Sequence, residues 1–455
     1  MTTPVRFDPG SFRSFRIVGR EYDPVTRTVA LHYALDDRIE FVETISFEST
    51  SGGRPGPSGA GFERALLHLH VAAGTSYYKT AAPDSVVVEG DALTSAELRY
   101  HHHLYDEGLR EFAVTNRLPV PRPVVVTATG GVPEGVTPMA PPAKMTPGLV
   151  VPIGGGKDSM VLIEAVRHLR PRLFAVNPHP LVIELADQAG LDLLVVRRRL
   201  DPALAALHRA GALNGHVPVT AIVSLIAVVG GFVHGYDTIA MAIERSASEE
   251  TVSIGGVPVN HQYSKSREAE LLLADLVATT VSADFTYGSA LRPYSELAIS
   301  RAFARLNRYH GTFCSCNTAF RQDAPVGDRW CGSCPKCRFV GLMLAPFLPR
   351  DALTAVIGRD MFADPDQVAG FAALMSDEDK PFECVGERRE SAVALRMLSG
   401  LAEWRDSPVV ASLAPVAEAL VGDADADDLM TARSDLAFAD PSVAVAVDTL
   451  LSGEP

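Results

Sequence analysis

Leu149-Val150-Val151-Pro152-Ile153, then Gly154-Gly155-Gly156-Lys157-Asp158-Ser159, then Met160-Val161-Leu162-Ile163-Glu164-Ala165-Val166 is the run that decides the fold. The first block is a short apolar stretch suited to a buried strand. The last places apolar side chains at helical spacing. Strand, glycine turn and helix start together make an anion trap. Glycines let the backbone approach a phosphate, while free N–H groups and the helix dipole point at its charge. Lys157 adds a mobile positive charge, and Asp158 is a candidate to hold Mg²⁺ between phosphates.

Working outward, apolar runs alternate with helical stretches. Arg172-Leu173-Phe174-Ala175-Val176, Leu191-Asp192-Leu193-Leu194-Val195-Val196 and Thr238-Ile239-Ala240-Met241-Ala242-Ile243 read as strands covered on both faces. The pattern predicts an α/β domain with a doubly wound parallel sheet, and ligands at the carboxyl ends of its strands. The glycine loop stands at such an end, as do Asn177-Pro178-His179 and Glu244-Arg245-Ser246. A kinase-type phosphate loop is excluded, because it needs glycine where Val151 stands and a hydroxyl residue where Asp158 stands. The loop resembles instead the Ser-Gly-Gly-x-Asp-Ser turn of the PP-loop ATP pyrophosphatases, with Gly154 in place of the first serine. That resemblance implies a sheet of the PP-loop type. It also implies a nucleotide site at Gly154, Gly155, Gly156, Lys157, Asp158 and Ser159, completed by Glu244, Arg245 and Ser246.

Upstream, residues 12–48 alternate at period two and predict three strands of a meander: Phe15-Arg16-Ile17-Val18, Thr28 to Tyr33, and Ile39 to Ile45. Helices are expected from Phe62 to Ala73 and from Ser95 to about Arg117, the second capped by Thr94 or Ser95. His101-His102-His103 cannot converge on one ion, since adjacent helix positions face different directions; they read as surface and packing histidines. Residues 1–118 thus form an N-terminal α+β domain suited to substrate holding. Residues 119–148, dense in Pro and Gly, read as a linker or an extended covering strand. The nucleotide-binding domain is expected over 149–340. A helical region with an acidic loop near Asp423 to Asp428 is expected over 341–455.

The chain has 455 residues, enough for two or three domains, with 47% hydrophobic and 21% charged residues. A net charge of −14 argues against nucleic acid as a partner, because phosphate backbones demand a basic surface. The longest apolar run, Val217 to Val233, is interrupted by Pro218, Thr220, Ser224, Gly230 and Gly231, and reads as a buried core helix rather than a membrane span. With no secretory signal pattern, a cytoplasmic protein without a membrane partner is expected.

Five of the six cysteines crowd between Cys314 and Cys337. Cys331-Gly-Ser-Cys334-Pro-Lys-Cys337 makes a compact thiolate knuckle that Cys314 or Cys316 can close, so four of the five are expected to bind Zn²⁺, with an iron–sulfur cluster as the alternative. Such a closed site is structural. It would pin the segment carrying Asn317 and Arg321, both candidates for substrate binding. Asn260-His261-Gln262-Tyr263-Ser264-Lys265-Ser266-Arg267 precedes a helix and gathers groups suited to acid–base chemistry. His261, Tyr263 and Lys265, with His216 behind them, are the catalytic candidates; Asn260, Ser264 and Arg267 are candidates to bind substrate.

Taken together, Gly-Gly-Gly-Lys-Asp-Ser at 154–159, Asn-Gly-His-Val-Pro-Val-Thr at 214–220, Asn-His-Gln-Tyr-Ser-Lys-Ser at 260–266, and the cysteine stretches at 314–317 and 330–340 resemble one family. That family is the ATP-dependent UDP-N-acetylmuramoyl-L-alanyl-L-glutamate epimerases (MurL-type) of bacterial peptidoglycan synthesis. The resemblance implies inversion of the terminal L-glutamate of UDP-MurNAc-L-Ala-L-Glu, with ATP and Mg²⁺, through an acyl-adenylate that releases AMP and diphosphate. Rival readings of the same loop are a nucleobase-modifying enzyme of the 7-cyano-7-deazaguanine synthase or tRNA thiolase type, and a non-enzymatic nucleotide-binding module.

Overall fold

The structure, a computed structural model, describes residues 7–48, 57–131, 145–319, 329–376, 378–383, 385–422, 424–431, 433–434 and 436–453. Among the described residues the strands are β1 (Ser14–Asp23), β2 (Thr28–Leu35), β3 (Ile39–Phe47), β4 (Ser85–Val88), β5 (Val125–Ala128), β6 (Leu149–Pro152), β7 (Arg172–Val176), β8 (Leu193–Arg199), β9 (Thr238–Met241), β10 (Val252–Ile254), β11 (Val257–Val259) and β12 (Thr286–Ser289). The chain divides into two compact units that interleave in sequence. The first comprises residues 1–150, 194–239 and 253–287; the second comprises 151–193, 240–252 and 288–455.

In the first unit the strand order is β8-β3-β2-β1-β4-β5. The meander β1–β3 is antiparallel, as its period-two pattern predicts, with a bulge between Ile17 and Gly19. Its inward positions Phe15, Ile17, Val29, Leu31, Tyr33, Phe41, Ile45 and Phe47 are all buried. β4 and β5 add on in parallel. Because β8 pairs antiparallel with β3, Thr44 opposite Arg199 and Phe47 opposite Val196, the sheet is mixed rather than wholly parallel. The physical reason is charge. Glu43 on β3 is fully buried and takes Arg198 at 2.6 Å, while Glu48 takes Arg197 at 2.9 Å, so the arginine-rich end of β8 is drawn to the acidic edge of the meander.

Helix Ala60–Ala73 packs against helix Val219–His234 in this unit. The latter is the expected core helix, and no helix among the described residues is long and apolar enough to cross a membrane. Gly61 permits the close approach of helix Ala60–Ala73 to the chain at Val281: a Cβ there would lie 2.3 Å from the Val281 carbonyl oxygen. Thr94 caps helix Ser95–Asp106 in a capping box with Glu97. The helical stretch expected to run on to Arg117 breaks near Gly108 and resumes as the short helix Arg110–Thr115. The three consecutive histidines diverge: His101 is buried against His68, with His101 Nε2 3.1 Å from His68 Nδ1, whereas His103 Nδ1 pairs with Glu107 at 2.8 Å.

β6 and β9 start in the first unit, where Leu149 pairs in parallel with Thr238, and they finish in the second. There the order β12-β9-β6-β7 places the turns after β6 and β9 at strand carboxyl ends, with helix Lys157–Val166 following β6. The remainder of the second unit is helical, as expected, around a core that includes Leu342, Phe362, Trp404 and Val409. The acidic stretch expected to be a loop is instead helix Ala424–Thr431. Asp425 and Asp427 fall in the first turn, where the dipole favours them, and Asp425 accepts from the Gly422 N–H at 2.6 Å. Residues 132–144 of the proline-rich stretch lie outside the described residues.

Candidate active site

Two groups of candidate functional side chains stand out, one in each unit. In the second unit the chain leaves β6 through Gly154–Gly156 and enters helix Lys157–Val166. Gly155 adopts φ +92°, a left-handed conformation that favours glycine. The Cys314 N–H donates to the Gly155 carbonyl at 3.0 Å, and a Cβ on Gly156 would lie 2.9 Å from Ser315 Oγ, so the cysteine segment props the turn. Ser159 Oγ donates to the Gly156 carbonyl at 2.9 Å, closing the first helical turn.

Lys157, 2% exposed, sits between Asp158 and Glu296 and contacts both carboxylates. Burial alone would lower its pKa, but the two carboxylates outweigh burial and raise it. Glu296 begins helix Glu296–Ala304 after β12. Burial raises its pKa despite Lys157, and its backbone N–H donates at 2.9 Å to Glu390. Glu390 is fully buried, and burial, then Glu387 and Glu296, push it well above the carboxylate range. Arg245 lies 3.6 Å from Glu390 and 3.8 Å from Glu387. Glu244 caps the turn it opens, accepting from the Ala247 N–H at 3.0 Å, and Ser246 is buried. The structure therefore gathers Gly154–Ser159 and Glu244–Ser246 at strand carboxyl ends of one unit. It adds Glu296, Glu387 and Glu390, which sequence reasoning missed.

The thiols of Cys316, Cys331, Cys334 and Cys337 all lie within 4.8 Å of one another, a set that could hold a metal ion. Cys337 is 3.4 Å from Cys334 and 3.7 Å from Cys331, and backbone N–H groups of Cys334 and Cys337 point at sulfur. Cys314 turns aside, its thiol donating to the Arg329 carbonyl at 2.7 Å. Asn317 donates to Glu383 at 2.8 Å. Arg321 lies outside the described residues.

In the first unit, helix Arg110–Thr115 clamps two loops. Arg110 donates to the Pro258 carbonyl at 3.1 Å, fixing β11 and the loop after it; Asn116, just past the helix, donates to the Asn214 carbonyl at 2.9 Å, fixing the other. Between those anchors Glu111 meets His261 Nδ1 directly and lies 3.8 Å from His216 Nδ1. The two imidazole centroids are 4.7 Å apart with planes at 45°. Burial, then the charge of His261, lower His216 to about 4. Lys79 Nζ donates to the Gly215 carbonyl at 3.0 Å, and burial with Arg198 lowers it to about 8. Neither Glu111 nor Lys79 carries a sequence signal: each is an ordinary charged residue in or beside a helix.

The other candidates of the 260–267 loop are held by local contacts, with Lys265 still in electrostatic reach of His216. Asn260 Oδ1 accepts from the Gln262 N–H at 2.7 Å and shapes the turn. Lys265 donates to Gln262 at 3.1 Å. Tyr263, 7% exposed, lines a small cavity with Tyr100, Leu104, Ser264 and Leu273, and burial raises its phenol. Arg267 pairs with Glu270 at 3.0 Å.

A glycine turn opening a helix in one unit and a carboxylate-anchored pair of imidazoles in the other are the two candidate groups of an active site. Residues 6–290 match the MurL N-terminal domain and residues 312–428 match the MurL C-terminal domain. The chain belongs to the MurL family. A protein named UDP-N-acetyl-alpha-D-muramoyl-L-alanyl-L-glutamate epimerase from Salinispora tropica is 43% identical over 422 residues, covering 90% of this chain and 88% of that protein. Proteins of the same name from Micromonospora sp. and Xanthomonas oryzae pv. oryzae are 41% and 39% identical, each covering 90% of its own length and 90% and 89% of this chain. No solved structure gives a significant match.

Proposed function

We propose that this chain epimerises the terminal L-glutamate of UDP-MurNAc-L-Ala-L-Glu to D-glutamate at the expense of ATP. The observation that carries the reading is 39–43% identity, over about nine-tenths of the chain, to proteins named for that epimerisation. The glycine loop suits the energy source. A carboxylate's α-hydrogen is hard to remove because the product would be a dianion. If a carboxylate oxygen attacks the α-phosphorus of ATP, the bond to diphosphate breaks and an acyl-adenylate forms. That ester carries no carboxylate charge, and its carbonyl becomes an electron sink. A base then takes the α-proton, an acid returns one from the opposite face, and water releases AMP.

The backbone of Gly154–Gly156, Lys157 and Ser159 would cradle the phosphates, with Glu244, Arg245 and Ser246 at the neighbouring strand end. Bound Mg²⁺ would supply charge neutralisation between the phosphates, and Asp158 with Glu296 would hold it. Zn²⁺ in the four-thiol set would be structural, because all four positions are filled by protein and none is left for substrate. Proton transfer falls to His261 and His216 with a lysine, Lys265 or Lys79, acting on the other face; an amine near 8 is well matched to that work. Tyr263, Asn260, Ser264, Arg267 and Asn317 would shape or contact the substrate pocket.

The test is incubation with Mg-ATP and UDP-MurNAc-L-Ala-L-Glu, measuring AMP and the chirality of glutamate after hydrolysis. Coupled AMP and D-glutamate are expected, and Lys157→Ala should abolish both. AMP without inversion, or neither product, would overturn the reading.

A further inference from the structure

Two proton carriers that invert a carbon must flank it, each about 3–3.5 Å from it, and so stand roughly 6–7 Å apart. His216 and His261 do not meet that condition. Their rings touch at a centroid distance of 4.7 Å, and no carbon fits between them. They also share one carboxylate. Both Nδ1 atoms face Glu111, which contacts His261 and lies 3.8 Å from His216. We infer that Glu111, His261 and His216 form a relay that holds a single proton on one face of the reacting carbon, with Glu111 as the positioning residue that assigns the charge to His261.

The inference rests on the epimerase reading and adds a residue and an order of events to it. The charged groups acting on His216 are His261, Glu111, Lys265 from the same loop as His261, and Lys79 from the chain beside Gly215. Of these only Glu111 favours a protonated ring; the two lysines and a charged His261 oppose it. One carboxylate can balance one imidazolium, so a second proton on the pair is disfavoured. His216, partly buried and lowered to about 4, is the neutral member. A relay already carrying its proton is an acid. In the L-to-D direction a base on the opposite face takes the α-proton, and the C–H electron pair passes into the enolate. His261 then delivers its proton, the enolate electrons form the new C–H bond, and His261 is left neutral beside Glu111.

Glu111→Gln and Glu111→Asp in the full chain test this with two readouts. The first needs no substrate: NMR titration of ring-labelled histidines. Wild type is expected to show His261 retaining its proton well above the ordinary histidine value of about 6.5, with His216 neutral throughout. In Glu111→Gln the proton affinity of His261 should drop at least tenfold, and Glu111→Asp should restore most of it. The second is turnover in D₂O with Mg-ATP. Glu111→Gln should lower D-glutamate formation at least tenfold, while loss of the α-hydrogen from the L-substrate persists because the base is intact. A His261 titration unchanged in Glu111→Gln overturns the relay, whatever the activity. Loss of both wash-out and inversion, in a variant that keeps the wild-type fold, overturns the role as acid. Wild type that makes no D-glutamate would instead overturn the epimerase reading, leaving the titration to judge the relay.

Discussion

Replacing Lys157 with methionine removes the ammonium that Glu296 contacts directly, and Glu296 is 3% exposed. Asp158, more open to solvent, can rehydrate; Glu296 cannot, and at pH 7 it must take up a proton to remain buried. From an unfolded-state value of about 4.3, holding a glutamate neutral costs about 3.7 kcal/mol at pH 7 and about 1 kcal/mol at pH 5. The sign follows from linkage. Burial already holds the folded pKa of Glu296 above the unfolded one, and without Lys157 it rises further, so the added penalty is largest at neutral pH, has the full figure as its upper bound, and fades as pH falls toward the unfolded value. Urea titration in magnesium-free buffer measures it, and both tryptophans, Trp330 and Trp404, lie in the second unit and report on it alone. Lys157→Met should lose up to about 3–4 kcal/mol at pH 7 and at most about 1 kcal/mol at pH 5. Lys157→Met/Glu296→Gln, which leaves no uncompensated buried charge, should recover to within about 1 kcal/mol of wild type. Equal losses at both pH values, or no recovery in the double variant, would refute the reasoning.

Cys334→Ser should reduce zinc content by more than half and lower the melting temperature of the second unit, read by elemental analysis and tryptophan fluorescence; full zinc occupancy would exclude the four-thiol site. In the first unit, burial keeps His68, His70 and His101 neutral, with His70 lowered to about 3. Stability there should fall as pH drops below about 6.5, by about 1.4 kcal/mol per pH unit for each histidine until its folded value is reached, measurable by hydrogen exchange of the β1–β3 amides. Lys79→Met and Lys265→Met separate the two candidate bases: the variant that loses α-hydrogen wash-out from the L-substrate has lost the base, and if neither does, a lysine is not the base.

Much of the fold was legible because burial writes a period into the chain. β7 falls where a five-residue apolar run was read, and the meander falls where residues alternate, since one face packs and the other does not. β4 and β12 were not anticipated: four residues such as Ser85–Val88 are too few to show a period. The antiparallel seating of β8 depends on Glu43 and Glu48 across the sheet, a match between residues some 150 positions apart that no local window contains. The glycine loop and the two histidine loops announced themselves through unusual composition. Glu111, Glu296 and Glu390 did not, because a glutamate in a helix is most often a solvated one, and only tertiary packing turns these toward imidazole, ammonium or one another.

The interleaving of the two units bears on synthesis at the ribosome. Residues 1–150 include the meander but not the strand that seals the outer edge of β3, which is made some fifty residues later, and the first unit is finished only once residue 287 has emerged. A nascent chain paused before residue 199 would present that edge uncovered, an invitation to self-association. Fragments ending between 150 and 190 should therefore be recovered as aggregates, however complete the first three strands look on paper.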